Sequence, residues 1–275
     1  MEIGITNGDM FEFAAGLDVV LAAADFIFFE LGMAAPLFSD HPPSPHTGAG
    51  LTGMVIEPGL DKLRNLVIRQ LSNVFEFDGG EDSAALDSGI HSALGRVERC
   101  FSGIVLKRYR REDGAVVFNP FHSGQYCIFL YYLGRELSLQ GAAGLADRVY
   151  YLNRALNGVD LFHQVELPDV FCVEHPLGSV IGRARFGNGF FFAQGVTVGG
   201  NKGAYPVIGA HVSMLSNSKV VGASVIGDHV ILSANSYVKD TVIPPHSIVF
   251  GQDRNLVIKP NPGGLTAEIF HSSVA

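Results

Sequence analysis

The sequence predicts an α + β protein: a mainly helical N-terminal domain followed by a parallel β-helix of hexapeptide repeats. Three observations predict it. Nine of the 33 glycines fall between Gly178 and Gly209, where helical spacing has stopped. Ile208, Met214, Val220, Ile226, Leu232 and Val238 then recur at a strict spacing of six, all apolar. With 47% hydrophobic residues, such a run arises by chance about once in a hundred. Four residues after each stands a small or β-branched side chain: Val212, Ser218, Ser224, Val230, Ser236 and Val242. Three hexapeptides close one triangular coil, so residues 168 to 259 supply about five coils with apolar ladders inside. A β-sandwich is the weaker alternative, because strand alternation has period two and need not repeat at six.

The elements follow in chain order. Residues 1–165 read as the helical domain, 166–260 as the β-helix and 261–275 as a C-terminal tail. Leu63, Leu66, Val67, Leu71 and Val74 keep helical spacing, as do Leu94, Val97, Phe101, Ile104 and Val105. A third helix is expected from about Ser123 to Leu139. Breaks are expected at the Pro- and Gly-rich stretch His41 to Gly53 and at Asp78-Gly79-Gly80-Glu81-Asp82. Upstream of the six-residue run, Phe186, Phe192 and Val198 share its register if about four residues are inserted before Ile208. The Gly-rich run Gly199 to Tyr205 is that insertion.

Charge and cysteine usage narrow the function classes. A formal charge of −8 argues against nucleic acid, which needs excess Lys and Arg to neutralise phosphates. Residues 1–61 hold nine acids and no Lys or Arg, so they do not read as a secretory signal, and the apolar stretch from Phe13 is interrupted by Asp18, Asp25 and Glu30, so no membrane span is expected. Cys100, Cys127 and Cys172 are odd in number and far apart, which suggests neither a disulfide framework nor a thiolate metal site. A reducing, cytoplasmic setting is the expectation.

Several ordered motifs carry a resemblance. Phe121-His122-Ser123 and Gln125 ahead of a helix, His163-Gln164-Val165-Glu166, His175-Pro176-Leu177-Gly178-Ser179-Val180-Ile181-Gly182, Gln194-Gly195-Val196-Thr197-Val198-Gly199-Gly200 and Pro244-Pro245-His246 together resemble the serine acetyltransferases, from about Arg111 to Pro260. The resemblance implies a left-handed β-helix, acetyl-CoA as acyl donor, no metal, and homotrimers or dimers of trimers in a cysteine-biosynthesis setting. It also implies O-acetylation of L-serine or a related small hydroxyl acceptor by direct transfer. Two alternatives stay open: another alcohol such as a sugar, or a noncatalytic trimeric β-helix scaffold.

Acetyl transfer to a hydroxyl needs a base, a donor to the oxyanion and two substrates held together. His175 is the candidate base, because imidazole exchanges protons near neutral pH. Glu166, in Val165-Glu166-Leu167, resembles the acid that orients the base in the family's Val-Asp-Ile segment, with about one hexapeptide less between it and the His. Glu174 matches an Asp that holds the acceptor, and Asp113 resembles the acid at the serine ammonium. Gly199, Gly200 and Lys202 are expected at the cofactor, and Ser216, Ala234 and Lys259 match positions along the family's cofactor groove. Ala204-Tyr205 stands where the family carries an Arg-His pair for the serine carboxylate, so Tyr205 is expected to face the acceptor. Losing that fork is expected to weaken serine recognition by about 2 to 4 kcal/mol unless another cation, such as Arg183 or Arg185, replaces it.

Other polar residues take plainer readings. His211, His229 and His246 stand eighteen and seventeen residues apart, so they are expected to stack along one edge of the coils. The close His pair of the γ-class carbonic anhydrases is missing, and corner residues, not zinc ligands, are the reading. Cys172 is expected to pack. Lys107, Arg108, Arg110 and Arg111 read as a solvated helix end.

Overall fold

The structure, a computed structural model, describes residues 53–263 and 265–274. Most of the acidic segment 1–61 and of the His41 to Gly53 break lies outside the described residues. Four helices come first: α1 (Leu60–Val74), α2 (Glu81–Ser102), α3 (Ser123–Leu139) and α4 (Ala143–Asn157). Leu63, Val67 and Leu71 form the buried stripe of α1, while Val74 is exposed. Asp78 caps the start of α2 by accepting from the amides of Gly80 and Glu81 at 2.7 and 2.8 Å, so the acidic Gly-Gly break is a helix entry. Its stripe runs through Leu86, Ile90, Leu94, Val97 and Phe101. The helix stops at Ser102, so Ile104, although buried, and Val105 lie beyond it.

Helix α3 is buried almost all round, as expected of a helix apolar on every face. Helix α4 packs against it and was not singled out by the sequence periodicities. It ends at Gly158, whose left-handed φ of 61° suits a glycine C-cap. No described helix is long and apolar enough to cross a membrane.

The β-helix has three parallel faces. Face A stacks Asp160–Leu161, Val180–Ile181, Thr197–Gly199, Lys219–Val221 and Tyr237–Lys239. Face B stacks Arg185–Phe186, Val207–Ile208, Val225–Ile226 and Val242–Ile243. Face C stacks Phe171–Val173, Phe190–Phe192, Ser213–Met214, Ile231–Leu232 and Ser247–Phe250, closed by the antiparallel strand Val257–Pro260. A short helix, α5 (Leu265–Ile269), follows, and the segment after it returns to the helical half, where the amide of Val105 donates to Ile269 O at 2.8 Å. From Val180 onward each coil visits faces A, B and C in turn.

The six predicted ladder residues are all buried, and Ile208, Ile226 and Ile243 stack through face B, while Phe192, Met214 and Leu232 stack through face C. Ser218, Ser224 and Ser236 are buried at the companion positions, but Val242 is 42% exposed. Val225 pairs with Val242, and Val221 with Lys239, so the last corner is one residue shorter than the one before it and Ile243, not Val242, points inward. The four-residue insertion is present: Gly199 pairs with Val221 and Val207 with Val225, which leaves four extra residues in the earlier corner.

Corners demand left-handed backbone. His175, Asn217 and Asn235 adopt φ of 50°, 61° and 62° between faces C and A, and His211, His229 and His246 adopt 57°, 56° and 55° between faces B and C. Asn, Asp and His tolerate this region better than other side chains. That geometry accounts for the three stacked histidines, whose rings lie parallel with centroids 4.8 Å apart. Parallel rings do not converge on one ion, and no metal-binding group is present among the described residues.

Candidate active site

His175 sits on the corner between faces C and A of the first complete coil. Val173 pairs with Phe192 and Val180 with Thr197, so this corner is two residues longer than the one above it. The extra length falls in His175-Pro176-Leu177-Gly178, where Pro176 is buried and His175, Leu177 and Gly178 are exposed.

The start of α3 lies against this corner. Gly124 presses on the strand that leads to it, since a Cβ there would stand 2.7 Å from Val173 O. His122 caps the helix, its Nδ1 accepting from the Gln125 amide at 3.2 Å. Gln125, buried, accepts from the Asn119 amide at 2.7 Å and donates to Arg108 O at 2.8 Å. This fixes the Lys107–Tyr109 turn, with the Tyr109 ring buried 6.0 Å from that of His122. From that turn the Arg108 guanidinium forms an ion pair with Glu174, the residue before His175. Burial, the Arg108 charge and His175 together hold His122 below its usual imidazole range.

The Lys and Arg run is a solvated helix end at Lys107 and Arg108, exposed residues of the short turn Lys107–Tyr109, and takes other roles beyond it. Arg110 donates to the last carbonyls of α2, those of Phe101 and Ser102, at 2.9 Å, and Arg111 reaches Glu57 at 3.4 Å. Past this turn Arg110 caps carbonyls and Arg111 pairs with an acid. Cys172 packs as expected: it is fully buried, 3.9 Å from Tyr109 Oη, and burial pushes its thiol up to about 12.

The other expected site residues divide by corner. Ser216 and Ala234 fall in the same column as His175: the Asn217 amide donates to Gln194 O at 2.8 Å, and the Asn235 amide to Ser216 O at 2.9 Å, one coil on. Gly199, Gly200, Lys202 and Tyr205 lie across face A, on its corner with face B. There Asn201 and Ala204 bond each other's backbone at 2.9 and 3.0 Å, and the turn Lys202-Gly203, both residues left-handed, closes a small hairpin. The Tyr205 ring covers Gly200, 2.6 Å from where a Cβ would stand. Lys259 is on the closing strand, its Nζ 5.6 Å from the Phe250 ring centre.

Two of the expected acids bond groups other than His175. Glu166 lies beside the first face B strand and lines a groove with Arg185 and Phe186. Its carboxylate meets Arg135 at 3.1 Å and is 78% exposed. Asp113 makes local bonds, accepting from the Ala115 amide at 3.0 Å.

A residue missed in the sequence is Asp160. The segment Val159-Asp160-Leu161 repeats the Val-acid-Leu pattern one hexapeptide before Glu166, which restores the spacing that Glu166 lacks. Its strand pairs with Val180–Ile181 directly after the His175 corner, and the amides of Asp160 and Gly178 bond Ser179 O and Gly158 O at 2.8 Å. The carboxylate accepts from Tyr150 Oη at 2.7 Å.

No protein-family profile matches the chain. A serine acetyltransferase of Mycobacterium tuberculosis is 29% identical over 150 residues, covering 52% of this chain and 65% of that protein. The chain thus spans less than two thirds of the length of that relative. The crystal structure of Neisseria gonorrhoeae serine acetyltransferase superposes with a TM-score of 0.54 at 24% identity, covering 74% of this chain and 82% of that one. A serine acetyltransferase in complex with CoA superposes at 0.54 and 18% identity, covering 72% and 83%.

The likeness is to the serine acetyltransferases, in sequence and in fold. What is shared with the solved structures is the fold, helices followed by a parallel β-helix. Ala204-Tyr205 stands where the resemblance led to the expectation of an Arg-His pair.

Proposed function

We propose that the protein is an O-acetyltransferase that moves the acetyl group of acetyl-CoA to the hydroxyl of a small acceptor, L-serine or a related alcohol. The observation that carries this reading is the placement of His175: an exposed histidine on a lengthened corner, flanked by Arg108, His122 and Glu174 and continuing into the Ser216 and Ala234 column. The likeness to a serine acetyltransferase at 29% identity supports it.

In this mechanism His175 takes the proton of the acceptor hydroxyl as that oxygen bonds to the acetyl carbonyl carbon. The carbon–sulfur bond breaks, and the proton passes to the departing thiolate, so charge balances. His175 needs a carboxylate on its second ring nitrogen to fix the tautomer, a role for Asp160 or Glu166. The small side chains Ser216 and Ala234 leave room along the column for a long arm, with Gly199, Gly200 and Lys202 on the far edge of face A. Lys259 adds a cation at the last coil for a phosphate. Homotrimers, as in the resemblance, bring a second coil against this edge, and a cytoplasmic setting supplies the thioester.

The test is thiol release from acetyl-CoA with a panel of alcohols. Acceptor-dependent release supports the reading; acceptor-independent release or none favours a scaffold.

A further inference from the structure

We infer that Arg108 is the acceptor-selecting cation of this site: its guanidinium receives a carboxylate carried by the hydroxyl compound that His175 deprotonates. The inference rests on the acyl-transfer reading above and names what that reading lacks, a group for the acceptor's acid.

The loop that would supply such a cation does not. Its hairpin is closed, Ala204 bonds Asn201 through the backbone, and it stands on the corner between faces A and B, across face A from His175. Arg185 opens a face B strand and lines a groove with Glu166 and Asp169. Arg108 is different. Its backbone is held by Gln125 and followed by the buried Tyr109, so the side chain leaves from a fixed point toward Glu174. The guanidinium is 40% exposed, and Glu174 Oε1 engages it at Nη2. A planar guanidinium offers five donors in a fork, so one carboxylate oxygen leaves donors for a second carboxylate beside it. The charge environment agrees, because the positive end of the α3 dipole faces the same corner.

The pairing has a chemical consequence. Glu174, expected to hold the acceptor, is already neutralised by Arg108. The site therefore reads the acid of its acceptor more strongly than the amine. A hydroxy acid without an amine, such as glycerate, is a better acceptor than an amino alcohol without an acid, such as serinamide.

Thiol release with acetyl-CoA is measured for L-serine, L-serinamide and glycerate, in the wild type, Arg108→Gln and Arg108→Lys. The wild type is expected to favour both carboxylate-bearing acceptors over serinamide at least ~30-fold in kcat/KM. Arg108→Gln cuts that ratio below about threefold, mostly through KM, and Arg108→Lys keeps part of it. A wild-type preference for serinamide, or an unchanged ratio in Arg108→Gln, overturns the inference. Calorimetric titration of L-serine and glycerate, with CoA present, reads the same contact without turnover. Binding lost in Arg108→Gln supports the role; equal binding in both proteins, or no binding of either acid to the wild type, overturns it. If no alcohol supports thiol release, the acyl-transfer reading fails, and the titration still decides whether Arg108 binds a carboxylate. If circular dichroism finds Arg108→Gln unfolded, Arg108→Lys carries both comparisons.

Discussion

Gly124 and Val173 meet with no room for a side chain: a Cβ on Gly124 would stand 2.7 Å from the Val173 carbonyl oxygen. This contact joins the first turn of α3 to the strand that delivers Glu174 and His175. Replacing a helical glycine by alanine normally stabilises by about 0.5 to 1 kcal/mol. Here the clash with backbone is expected to reverse the sign. Gly124→Ala should lose about 1 to 3 kcal/mol in urea unfolding, whereas Gly95→Ala, inside α2 with nothing within 4 Å, should gain the ordinary increment.

Removing the base is the most direct check of the chemistry. His175→Ala is expected to lower turnover at least ~100-fold while CoA binding, followed by calorimetry, stays within a few-fold. Full turnover in a folded variant would take His175 out of the mechanism.

The orienting acid is decided by comparing two carboxylates. Glu166 is committed to Arg135, so Glu166→Gln is expected to change turnover less than about twofold. Asp160→Asn, on the strand beside the His175 corner, should lower kcat at least ~10-fold and move the acid limb of the pH–rate profile. The reverse order of effects would restore Glu166 to the role.

A pH dependence of stability follows from His122 and His229. Both are held below the ordinary value of 6.5, each first by burial; His122 is next shifted by Arg108, and His229 by His211 and His246. A depressed folded pKa means that below 6.5 the unfolded chain binds protons the native state refuses. Their contribution is therefore complete above about pH 6.5 and falls as the pH drops toward their lowered values. Thermal melts from pH 7.5 to 5 should lose stability in that window, and His229→Asn, which keeps a residue tolerant of left-handed backbone, should flatten the loss.

Much of this architecture was legible from periodicity, because each ladder residue is selected by one simple requirement, burial on a triangular coil. Ile208, Met214 and Val220 needed no tertiary knowledge. The α3 span was readable for the same reason. Helix α4 was not singled out, since its buried face includes Asn153 and Asn157, which blur an apolar stripe. Asp160 was missed because it sits before the change in composition, in a strand of two residues whose partner is Val180–Ile181. Arg108 was hidden by its neighbours: a run of cations reads as one solvated face until the backbone turn separates them.

The unequal corners carry a broader consequence. The coil gains two residues at His175, gains four at Gly199 to Tyr205 and loses one before Val242, yet the rungs on either side stay in register. Length changes are absorbed within a single corner, so the stack behaves as a ruler with marks about 4.8 Å apart. Ser216 and Ala234 stand two and three marks from the His175 coil, roughly 10 and 14 Å. A lineage of such proteins can thus redesign what one corner recognises, by insertion or deletion, without recalibrating the distance between the reacting hydroxyl and the far end of the donor.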